Sequence, residues 1–447
     1  MINLLHSFDP SSGDSLGQVP VSDQAQISDV VIKAKDAANS WAKLTHKERL
    51  NMLNSAFSHC EPHVDALAKL LSQEMGKDLR RATSEVQGCL FGGPYIAVEA
   101  MSALQSELLH KGSRLEYRPF GVTAVISPWN YPLMMACNLI VPALIAGNTV
   151  VLKPSEETPL IAEKWVSLMN EVLPEHVLQI VHGGKDTGQA LVESDVNMVA
   201  FTGSMAAGKD IMRRAAGGVK RLVMELGGND PMIVLDDANI ETAAHFAVAS
   251  SLENTGQMCT STERILVDEK IAERFERRVV ELASRYRAGA WHEPNINMGP
   301  IINARQHEKI VKQIDNALSN GARLLLGEEQ HTLPYIKPVV LTGITPQMDM
   351  WSEETFGPVI AITHFDSLDE AVRLANDSEY GLGAAVFGQL HAQTVADQLE
   401  AGMVGVNQGP GASGDAPWVG AKQSGFGFHG SAAGHRQFAQ VRVMSTR

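Results

Sequence analysis

The feature that most constrains this chain is an alternation of short apolar runs with helix-like segments, which begins at residue 121. The runs are rich in Val and Ile and end in Gly, Pro or Ser: "GVTAVIS", "NTVVLKP", "VLQIVHG" and "MVAFTGS". Segments with helical spacing of apolar residues separate or follow them, near 134–146, 159–172, 186–192 and 206–215. This alternation predicts right-handed crossovers and a parallel sheet covered on both faces. Ligands of such sheets bind at the carboxyl ends of the strands.

A second alternating block runs from "PMIVLDDA" at 231 through "TERILVDE" to "GMVGVNQ" at 402–408. The 447 residues exceed the length at which one core usually stops growing, so the two blocks predict two α/β domains with a cleft between them. Residues 27–110 carry apolar side chains three and four apart, which predicts packing helices with a break near Pro62. The turn residues within 106–121 predict a projecting hairpin, and "FAQVRVMS" predicts a terminal strand.

Charge and cysteine usage exclude several classes of protein. Acidic side chains outnumber basic ones by 51 to 37, and no long run of Lys and Arg is present, which argues against a nucleic-acid partner. The four cysteines are far apart, which argues against a zinc site or a disulfide framework and fits a reducing compartment. The opening residues lack a positive segment and no apolar stretch reaches about 18 residues, so we expect a cytoplasmic location without a membrane span.

One glycine-rich segment nearly spells a phosphate loop. In "FTGSMAAGKD" the residues Gly203, Gly208 and Lys209 match G-x-x-x-x-G-K, but Asp210 stands where a Ser or Thr would hold magnesium. A strand end, the Gly203–Ser204 turn and a helix N-terminus still predict an anion site that suits a dinucleotide pyrophosphate. The usual G-x-G-x-x-G fingerprint is absent, which excludes only the commonest way of holding one.

Charged side chains follow another predicted strand in "VLKPSEETP". Lys153 and Glu156 suit a ribose, because the ammonium donates to its hydroxyls and the carboxylate accepts from them. Glu156 would repel a 2'-phosphate. A solvated loop is the alternative that these two residues alone leave open.

A single cysteine, Cys259, lies among small polar residues in "NTGQMCTST". Most free cysteines are inert and buried, but these neighbours would make a poor core and a reasonable functional loop. Asn130 in "SPWNYP" follows a strand and is either turn chemistry or an oxyanion donor. Glu225 in "MELGGND" lies beside two glycines that permit close backbone approach.

These motifs together resemble one family. "SPWN", "LKPSE", "FTGS", "MELGG", "TGQMC" and "EETFGP" occur in the order and spacing of the aldehyde dehydrogenase superfamily, over nearly the whole chain, nearest to its short semialdehyde-dehydrogenase-like members. The resemblance implies two Rossmann-like, doubly wound α/β domains and a small β oligomerisation element. It implies a dinucleotide-binding domain over 1–104 and 121–227, a catalytic domain over 228–425, and an oligomerisation element over 105–120 and 426–447. A homodimer or homotetramer is expected.

The resemblance also implies catalytic roles. Cys259 attacks the aldehyde carbon, a hydride leaves for the nicotinamide, and water hydrolyses the thioester. Glu225 serves as the base, because a thiol with an ordinary pKa of about 8.5 is mostly protonated at neutral pH. The Asn130 amide and the Cys259 backbone N–H hold the oxyanion.

The implied cofactor is NAD, preferred because of Glu156, or NADP, with no metal. Lys153 and Glu156 take the adenosine ribose, and Gly203 and Ser204 take the pyrophosphate. The implied nicotinamide site adds four residues: Trp129, Ile126, Glu354 and Phe356.

Substrate recognition departs from the semialdehyde pattern. Succinate semialdehyde dehydrogenases commonly place an Arg six residues before the nucleophile, and this chain has Glu253 there. Together with Asp415, in the loop before the C-terminal motifs, Glu253 predicts a neutral or amino aldehyde, and a succinate-semialdehyde-type substrate is the alternative. A further interpretation is that the side chain of Glu253 points to solvent. An apolar funnel is implied at Tyr131, Met135 and Trp418.

Three further departures leave questions open. Val419 replaces a family Gly, and Phe428–His429 replace an Arg–Glu pair whose Glu is thought to relay protons. The chain is expected to lack the opening N-terminal hairpin of longer members, which leaves the oligomer size open. A coenzyme-A-acylating variant, which Glu225 argues against, and a non-catalytic member of the fold remain alternatives.

Overall fold

The computed structural model describes residues 3–328, 330–411 and 415–445. The chain ends within the predicted domain ranges, 1–2 and 446–447, lie outside the described residues, as does part of the loop before Asp415. Within the described part of the chain, no helix combines the length and the apolarity needed to cross a membrane.

The chain up to Glu225 forms an opening hairpin, a layer of helices and most of the first large sheet. The strands are β1 (Leu4–Phe8), β2 (Ser15–Pro20), β3 (Glu107–Leu108), β4 (Ser113–Pro119), β5 (Val122–Ile126), β6 (Thr149–Lys153), β7 (Leu178–Ile180), β8 (Met198–Thr202) and β9 (Arg221–Glu225). The helices are α1 (Gln24–Trp41), α2 (His46–Cys60), α3 (Val64–Met75), α4 (Leu79–Ala103), α5 (Pro132–Ala146), α6 (Pro159–Asn170), α7 (Lys185–Glu193) and α8 (Met205–Ala215).

The chain after Glu225 forms the second large sheet with its helices and then returns to the first sheet. The strands are β10 (Asp230–Val234), β11 (Thr262–Asp268), β12 (Arg323–Leu326), β13 (Val339–Thr342), β14 (Val359–Phe365), β15 (Gly383–Phe387), β16 (Met403–Val406), β17 (Gly425–Phe426) and β18 (Ala439–Ser445). The helices are α9 (Ile240–Leu252), α10 (Ala272–Ala283), α11 (Ala304–Ser319), α12 (Asp349–Ser352), α13 (Leu368–Asn376), α14 (Ala392–Ala396) and α15 (Ser431–Arg436).

The N-terminal region differs from the sequence prediction. β1 and β2 pair as an antiparallel hairpin, which was not predicted. This hairpin is tied to the helices through Glu74, which accepts from Ser7 Oγ at 2.6 Å and from the first amides of α6. The predicted break at Pro62 falls between α2 and α3, in a 3-10 turn. A proline at the first turn of a helix costs no backbone hydrogen bond.

The first large sheet has the strand order β17-β9-β8-β5-β6-β7, in which β5 to β9 are parallel. The order reverses at β5, because β6 and β7 lie on one side of it and β8 and β9 on the other. Every residue of β5, β6 and β8 is buried, which fits a sheet covered on both faces. The switch between β5 and β8 opens a crevice at the carboxyl ends of these strands.

The second large sheet has the order β12-β13-β14-β11-β10-β15-β16 and is parallel except at β12. It too reverses direction, since β11 and β14 lie on one side of β10 and β15 and β16 on the other. The chain therefore has the predicted α/β class with two Rossmann-like, doubly wound sheets. The proposed domain boundary at 227/228 falls between β9 of the first sheet and β10 of the second.

A small antiparallel sheet, β18-β4-β3, contains both segments of the proposed oligomerisation element. Glu116 on β4 is buried beneath three arginines, Arg114, Arg118 and Arg442. Hydrogen bonds from these guanidinium groups, that of Arg442 foremost, lower the pKa of Glu116 to about 2. The ion-pair cluster therefore joins β18 to β4 at every ordinary pH.

Candidate active site

A cavity of about 1260 Å³ runs along the carboxyl edge of the first sheet and reaches the loops that precede β11 and β14 of the second. It contains every predicted site residue except Glu225. The lining includes Asn130, Cys259, Lys153, Glu156, Gly203, Ser204, Trp129, Ile126, Glu354, Phe356, Tyr131, Met135, Glu253 and Trp418. Motifs that are far apart in the sequence therefore share one space.

The loop that carries Cys259 is held in an unusual backbone conformation. Asn254 and Thr255 have φ values of 49° and 61°, in the left-handed region that ordinary residues rarely adopt. Gly256 follows with φ 70°, and a Cβ there would lie 2.0 Å from the carbonyl oxygen of Gly357. Thr255 closes the turn by exchanging hydrogen bonds with the Gly299 backbone at 2.9 and 3.2 Å. Such backbone strain persists only where many surrounding contacts hold the conformation in place. It is frequent at functional sites.

The two glycines of "MELGG" bring the two sheets into contact at the cysteine. A Cβ at Gly228 would lie 2.4 Å from the carbonyl oxygen of Cys259, and one at Gly227 would lie 2.6 Å from Glu354 Oε1. The Gly228 amide donates to that same Glu354 oxygen at 3.0 Å. The backbone contact at Gly228 requires glycine, so this residue fixes where Cys259 lies relative to β9.

Asn130 is positioned by a buried ion pair that the sequence did not suggest. The ammonium of Lys77 contacts Glu85 at 2.6 Å and donates to the Asn130 backbone carbonyl at 2.7 Å. Glu85 in turn accepts from the first amides of α5. The side-chain amide of Asn130 donates to the backbone carbonyl of Gln257, two residues before Cys259, at 3.1 Å. The amide of Asn130 therefore lies next to the cysteine loop.

The surroundings of Cys259 favour its protonated thiol. Burial raises the pKa of the thiol, and nearby carboxylates raise it further: Glu225, Asp230 and Glu354. The backbone amide of Thr260 acts in the opposite direction but is the weaker influence. A base or a change of environment must therefore accompany any nucleophilic step at this sulfur.

Glu225 does not line the cavity, which differs from its predicted place beside the cysteine. It is 4% exposed, and its Oε1 contacts Nε2 of His429, whose side chain is 8% exposed. Glu225 still acts on Cys259 electrostatically, since its charge raises the pKa of the thiol. The carboxylate therefore lies near the sulfur but is held by the imidazole.

The opposite end of the cavity carries the predicted dinucleotide residues. Lys153 is buried, and its ammonium reaches Glu156 only at a long 3.4 Å. Burial lowers the pKa of Lys153, and the Glu156 charge partly restores it. Ser204 caps α8, whose first amides face this end, and Asp210 is paired with Arg213 and Arg214. A buried ammonium with spare donors and a helix N-terminus fit a ribose and a pyrophosphate.

The middle of the cavity is shaped by "EETFGP". Phe356 adopts φ 54° and packs edge-on against Trp129 with the ring centroids 5.5 Å apart. The buried Glu263 holds this turn by accepting from the amides of Thr355 and Phe356 at 2.8 and 2.9 Å. Burial, and then the charge of Glu263, raises the pKa of Glu354 to about 8.

Glu253 lies at the pocket, where its carboxylate is paired with Arg81. Arg81 donates to both of its carboxylate oxygens, at 2.8 and 3.0 Å, and also binds Asp78 at 2.7 Å. A bidentate guanidinium, which Glu253 shares with Asp78, therefore opposes the acidic bias expected from Glu253. Asp415, the other acid invoked, is exposed and is not among the lining residues. The wall near Cys259 is instead built from Tyr131, Met134, Met135, Met258 and Trp418.

Several site residues escaped sequence reasoning. Arg81, Lys77 and Glu85 belong to a helical region that periodicity assigned to packing. Lys309, which donates to the Glu354 backbone carbonyl at 2.6 Å, belongs to no motif. The only sequence signal for these residues was the spacing of charged side chains, one or two helical turns apart, within otherwise apolar segments.

Known proteins share both the sequence pattern and the fold of this chain. The family model described as "Aldehyde dehydrogenase family" matches residues 3–444. A probable succinate-semialdehyde dehydrogenase [NADP(+)] from Sinorhizobium fredii is 36% identical over 450 residues, covering 98% of this chain and 91% of that protein. A 3-sulfolactaldehyde dehydrogenase from Pseudomonas putida is also 36% identical, with 97% and 92% covered. The crystal structure of succinate-semialdehyde dehydrogenase from Burkholderia pseudomallei superposes with a TM-score of 0.95 at 36% identity, covering 99% of this chain and 94% of that chain.

Proposed function

Because this chain belongs to the aldehyde dehydrogenase family, we propose that it oxidises an aldehyde to the carboxylic acid through a thioester on Cys259, with NAD or NADP as acceptor. The observation that carries the proposal is the shared cavity. Cys259 and the Asn130 amide lie in the same space as the buried Lys153 and the N-terminus of α8. A nucleophile, an oxyanion donor and a dinucleotide groove in one cavity are what this reaction needs.

The chain's own residues would perform these steps. The Sγ of Cys259 bonds to the aldehyde carbon, and Glu225 takes the thiol proton. The Asn130 side-chain amide and the Cys259 N–H hold the oxyanion, and a donor of this kind is worth roughly 3–4 kcal/mol of barrier. Bound NAD or NADP supplies the acceptor for the hydride that leaves this carbon. After Glu225 has released the thiol proton to solvent, water attacks the thioester while the Glu225 carboxylate accepts a proton from that water. The carbon–sulfur bond breaks, and its electron pair stays on the sulfur of Cys259.

Glu225 must face Cys259 during these steps, although its carboxylate contacts His429 in the structure. A glutamate side chain has enough rotatable bonds to swing between two partners without backbone movement. The pKa of the Cys259 thiol is raised, which makes a base of this kind necessary. The presence of Glu225 also argues against transfer of the acyl group to coenzyme A.

For the cofactor, we favour NAD over NADP. Glu156 stands beside Lys153 at the end of β6, where its carboxylate would repel a 2'-phosphate. The side chain of Glu156 is 42% exposed, which lets it turn without strain. Acceptance of NADP is the alternative that a relative named for NADP(+) supports.

For the substrate, we favour a neutral aldehyde of aromatic or medium aliphatic type. The Arg81 guanidinium opposes the charge of Glu253, and the neighbouring surface is methionine and aromatic. The pairing of Glu253 with Arg81 weakens the argument for an amino aldehyde, which stays an alternative substrate. A second candidate is an aldehyde with an anionic tail. The names of the relatives from S. fredii and P. putida favour it, and so does Arg80, which lines the cavity mouth with its side chain 78% exposed.

We further propose a homodimer or homotetramer in the cytoplasm. β18 is the edge of the small sheet and exposes Val441 and Val443. An edge strand with exposed apolar side chains is a natural site for pairing with another copy. The cytoplasmic location is supported by the four separated cysteines, which fit a reducing compartment.

An aldehyde panel tests the proposal. Benzaldehyde, hexanal, 4-aminobutanal and succinate semialdehyde are each offered with NAD and with NADP, and absorbance is followed at 340 nm. We expect benzaldehyde or hexanal with NAD to give the highest kcat/KM, and Cys259→Ala to abolish turnover while dinucleotide binding persists. Highest kcat/KM with succinate semialdehyde would establish the second candidate. Turnover by Cys259→Ala would overturn the mechanism.

A further inference from the structure

Glu263 is a buried carboxylate near the active site that the proposed mechanism does not use. It lies four residues after Cys259, on β11, and is 6% exposed. Its side chain is not part of the cavity lining. Burying a carboxylate is costly unless hydrogen bonds or an opposite charge compensate for the lost water. The partners of Glu263 therefore indicate what this side chain holds in place.

Both oxygens of Glu263 accept hydrogen bonds from the turn that precedes β14. Oε2 accepts from the amide of Thr355 at 2.8 Å, and Oε1 accepts from the amide of Phe356 at 2.9 Å. Burial raises the pKa of Glu263, whereas these amides lower it, as bonds to an ionised carboxylate do. The next residue, Arg264, donates to backbone carbonyls such as that of Asn229. Among the described residues, the hydrogen bonds of the Glu263 carboxylate thus all go to this turn.

The turn over residues 354–357 needs this support. Phe356 has φ 54°, in the left-handed region that is unfavourable for a bulky side chain. From the other side, Nε2 of Gln306 donates to the carbonyls of Thr355 and Phe356 at 3.0 and 3.1 Å. Glu263 therefore binds the amides of the turn and Gln306 binds its carbonyls, and together they hold the strained backbone.

The 354–357 turn also touches the loop that carries Cys259. The backbone of Gly256 approaches the turn so closely that a Cβ there would lie 2.0 Å from the carbonyl oxygen of Gly357. The segment 256–263 therefore contacts the turn at both of its ends, and Cys259 lies between these contacts. Glu354 in this turn lines the cavity, as Cys259 does. The bonds of Glu263 thus fix the turn relative to the nucleophile.

We propose that Glu263 is a positioning residue that sets the 354–357 turn against Cys259 for hydride transfer. This proposal rests on the proposed function. In that step the carbon–hydrogen bond of the thiohemiacetal breaks, and its electron pair leaves with the hydrogen as a hydride to NAD. An electron pair of the oxyanion forms the carbonyl of the thioester. Glu263 acts on this step through Glu354 and Phe356, which line the cavity.

The two amides of the turn require an acceptor with two oxygens. A carboxylate supplies both, whereas a glutamine supplies one oxygen and one amino group that would face an N–H. Glu263→Gln should therefore lose one of the two hydrogen bonds. Glu263→Asp keeps the charge, but its side chain is one methylene shorter and cannot hold both amides. The two variants together separate the geometry of the carboxylate from its charge.

The test measures NADH formation in the first turnover by stopped flow, with saturating NAD and an aldehyde that the wild type oxidises. Both variants should slow this turnover about 10- to 100-fold, since a misplacement of about 1 Å can cost about a hundredfold. Deuterium at the aldehyde carbon should slow it further, because the bond to that hydrogen breaks in the affected step. Fluorescence titration should show that both variants still bind NAD. Alkylation of Cys259 by iodoacetamide should not slow, because the nucleophile itself is unchanged.

Glu276→Gln is the matched control, because Glu276 is also a buried glutamate of the second domain. It is 8% exposed, accepts from Thr342 and lies outside the cavity lining, so its variant should form NADH like the wild type. A wild-type first turnover in either Glu263 variant overturns the positioning role, as does a slow first turnover that is insensitive to deuterium. Absence of NADH formation by the wild type with all four aldehydes contradicts the proposed function instead, so the two failures are distinguishable.

Discussion

The two large sheets share one architecture but present opposite edges to the cavity. In the first sheet, Asn130 follows β5 and Ser204 follows β8, so the carboxyl ends of the strands face the site. In the second sheet, Cys259 precedes β11 and Glu354 precedes β14, so the site lies at the amino ends. The rule that ligands bind at carboxyl ends therefore describes only the first sheet.

This difference has an electrostatic consequence. The carboxyl edge of a parallel sheet collects helix N-termini, such as that of α8, which favour anions. The amino edge collects helix C-termini, and α9 ends at Leu252, just before the loop of Cys259. Helix C-termini disfavour a thiolate, as do the carboxylates that raise the pKa of Cys259. The nucleophile thus depends on a base and an oxyanion donor delivered by the other sheet.

The strongest test of this dependence is removal of the base at the end of β9. Glu225→Gln should lower steady turnover by about 10²- to 10⁴-fold, the usual range for a general base. Stopped-flow and steady-state NADH formation measure the effect. Glu163→Gln, which alters a carboxylate paired with His182 at 2.8 Å away from the cavity, serves as control. Wild-type turnover by Glu225→Gln would mean that the first sheet contributes no base.

Removal of the oxyanion donor should have the next largest effect. Asn130→Ala should reduce kcat by about 10²- to 10³-fold and leave the dissociation constant of NAD within about twofold. The measurement combines steady-state kinetics with fluorescence titration of the dinucleotide. An unchanged kcat would show that the amide of Asn130 serves only to hold the Gln257 carbonyl.

The raised pKa of the thiol predicts a pH dependence for the enzyme without cofactor. A thiol whose pKa is raised stays protonated below that pKa, so its alkylation by iodoacetamide should increase about tenfold per pH unit from about pH 7 to 9 without a plateau. Peptide mapping of Cys259 at each pH follows the rate. A plateau below about pH 8 would mean that the amino edge stabilises the thiolate after all.

Sequence reasoning succeeded where a motif and a local structure coincide. Strand–turn–helix segments such as "FTGS" and "LKPSE" predicted the α/β class and the residues that line the first sheet's edge. It failed where long-range contacts decide the outcome. The pairing of Glu253 with Arg81, 172 residues earlier, was not predicted, and it opposes the acidic bias expected from Glu253. The hairpin of residues 4–20 escaped prediction because β1 is short, and its apolar and polar residues do not alternate as they do in a typical half-buried strand.

The site also contains contacts that motif spacing cannot reveal. Nothing in the sequence around Glu225 indicates that its carboxylate contacts His429, because the pairing of β17 with β9 creates that contact between segments about 200 residues apart. Similarly, Lys77 and Glu85 support Asn130 from a helical region without any recognised motif.

The smallest expected effect concerns the pocket wall. Arg81→Gln leaves the Glu253 carboxylate unopposed, so the ratio of kcat/KM for 4-aminobutanal over succinate semialdehyde should increase about tenfold, near the lower end of single charge effects. Arg80→Gln removes an equal charge from a well-solvated position and should shift the ratio less than about twofold. Equal shifts in both variants would show that overall charge, and not the Arg81–Glu253 pair, governs selectivity.

The most direct test of the central claim is to find the covalent intermediate. Glu225→Gln is mixed with NAD and an aldehyde that the wild type oxidises, quenched in acid, digested and mapped by mass spectrometry. The account predicts an acyl group on the peptide that contains Cys259, in an amount equal to the NADH formed in the first turnover. Stoichiometric NADH without that adduct, or an adduct on Cys60, Cys89 or Cys137, would contradict it.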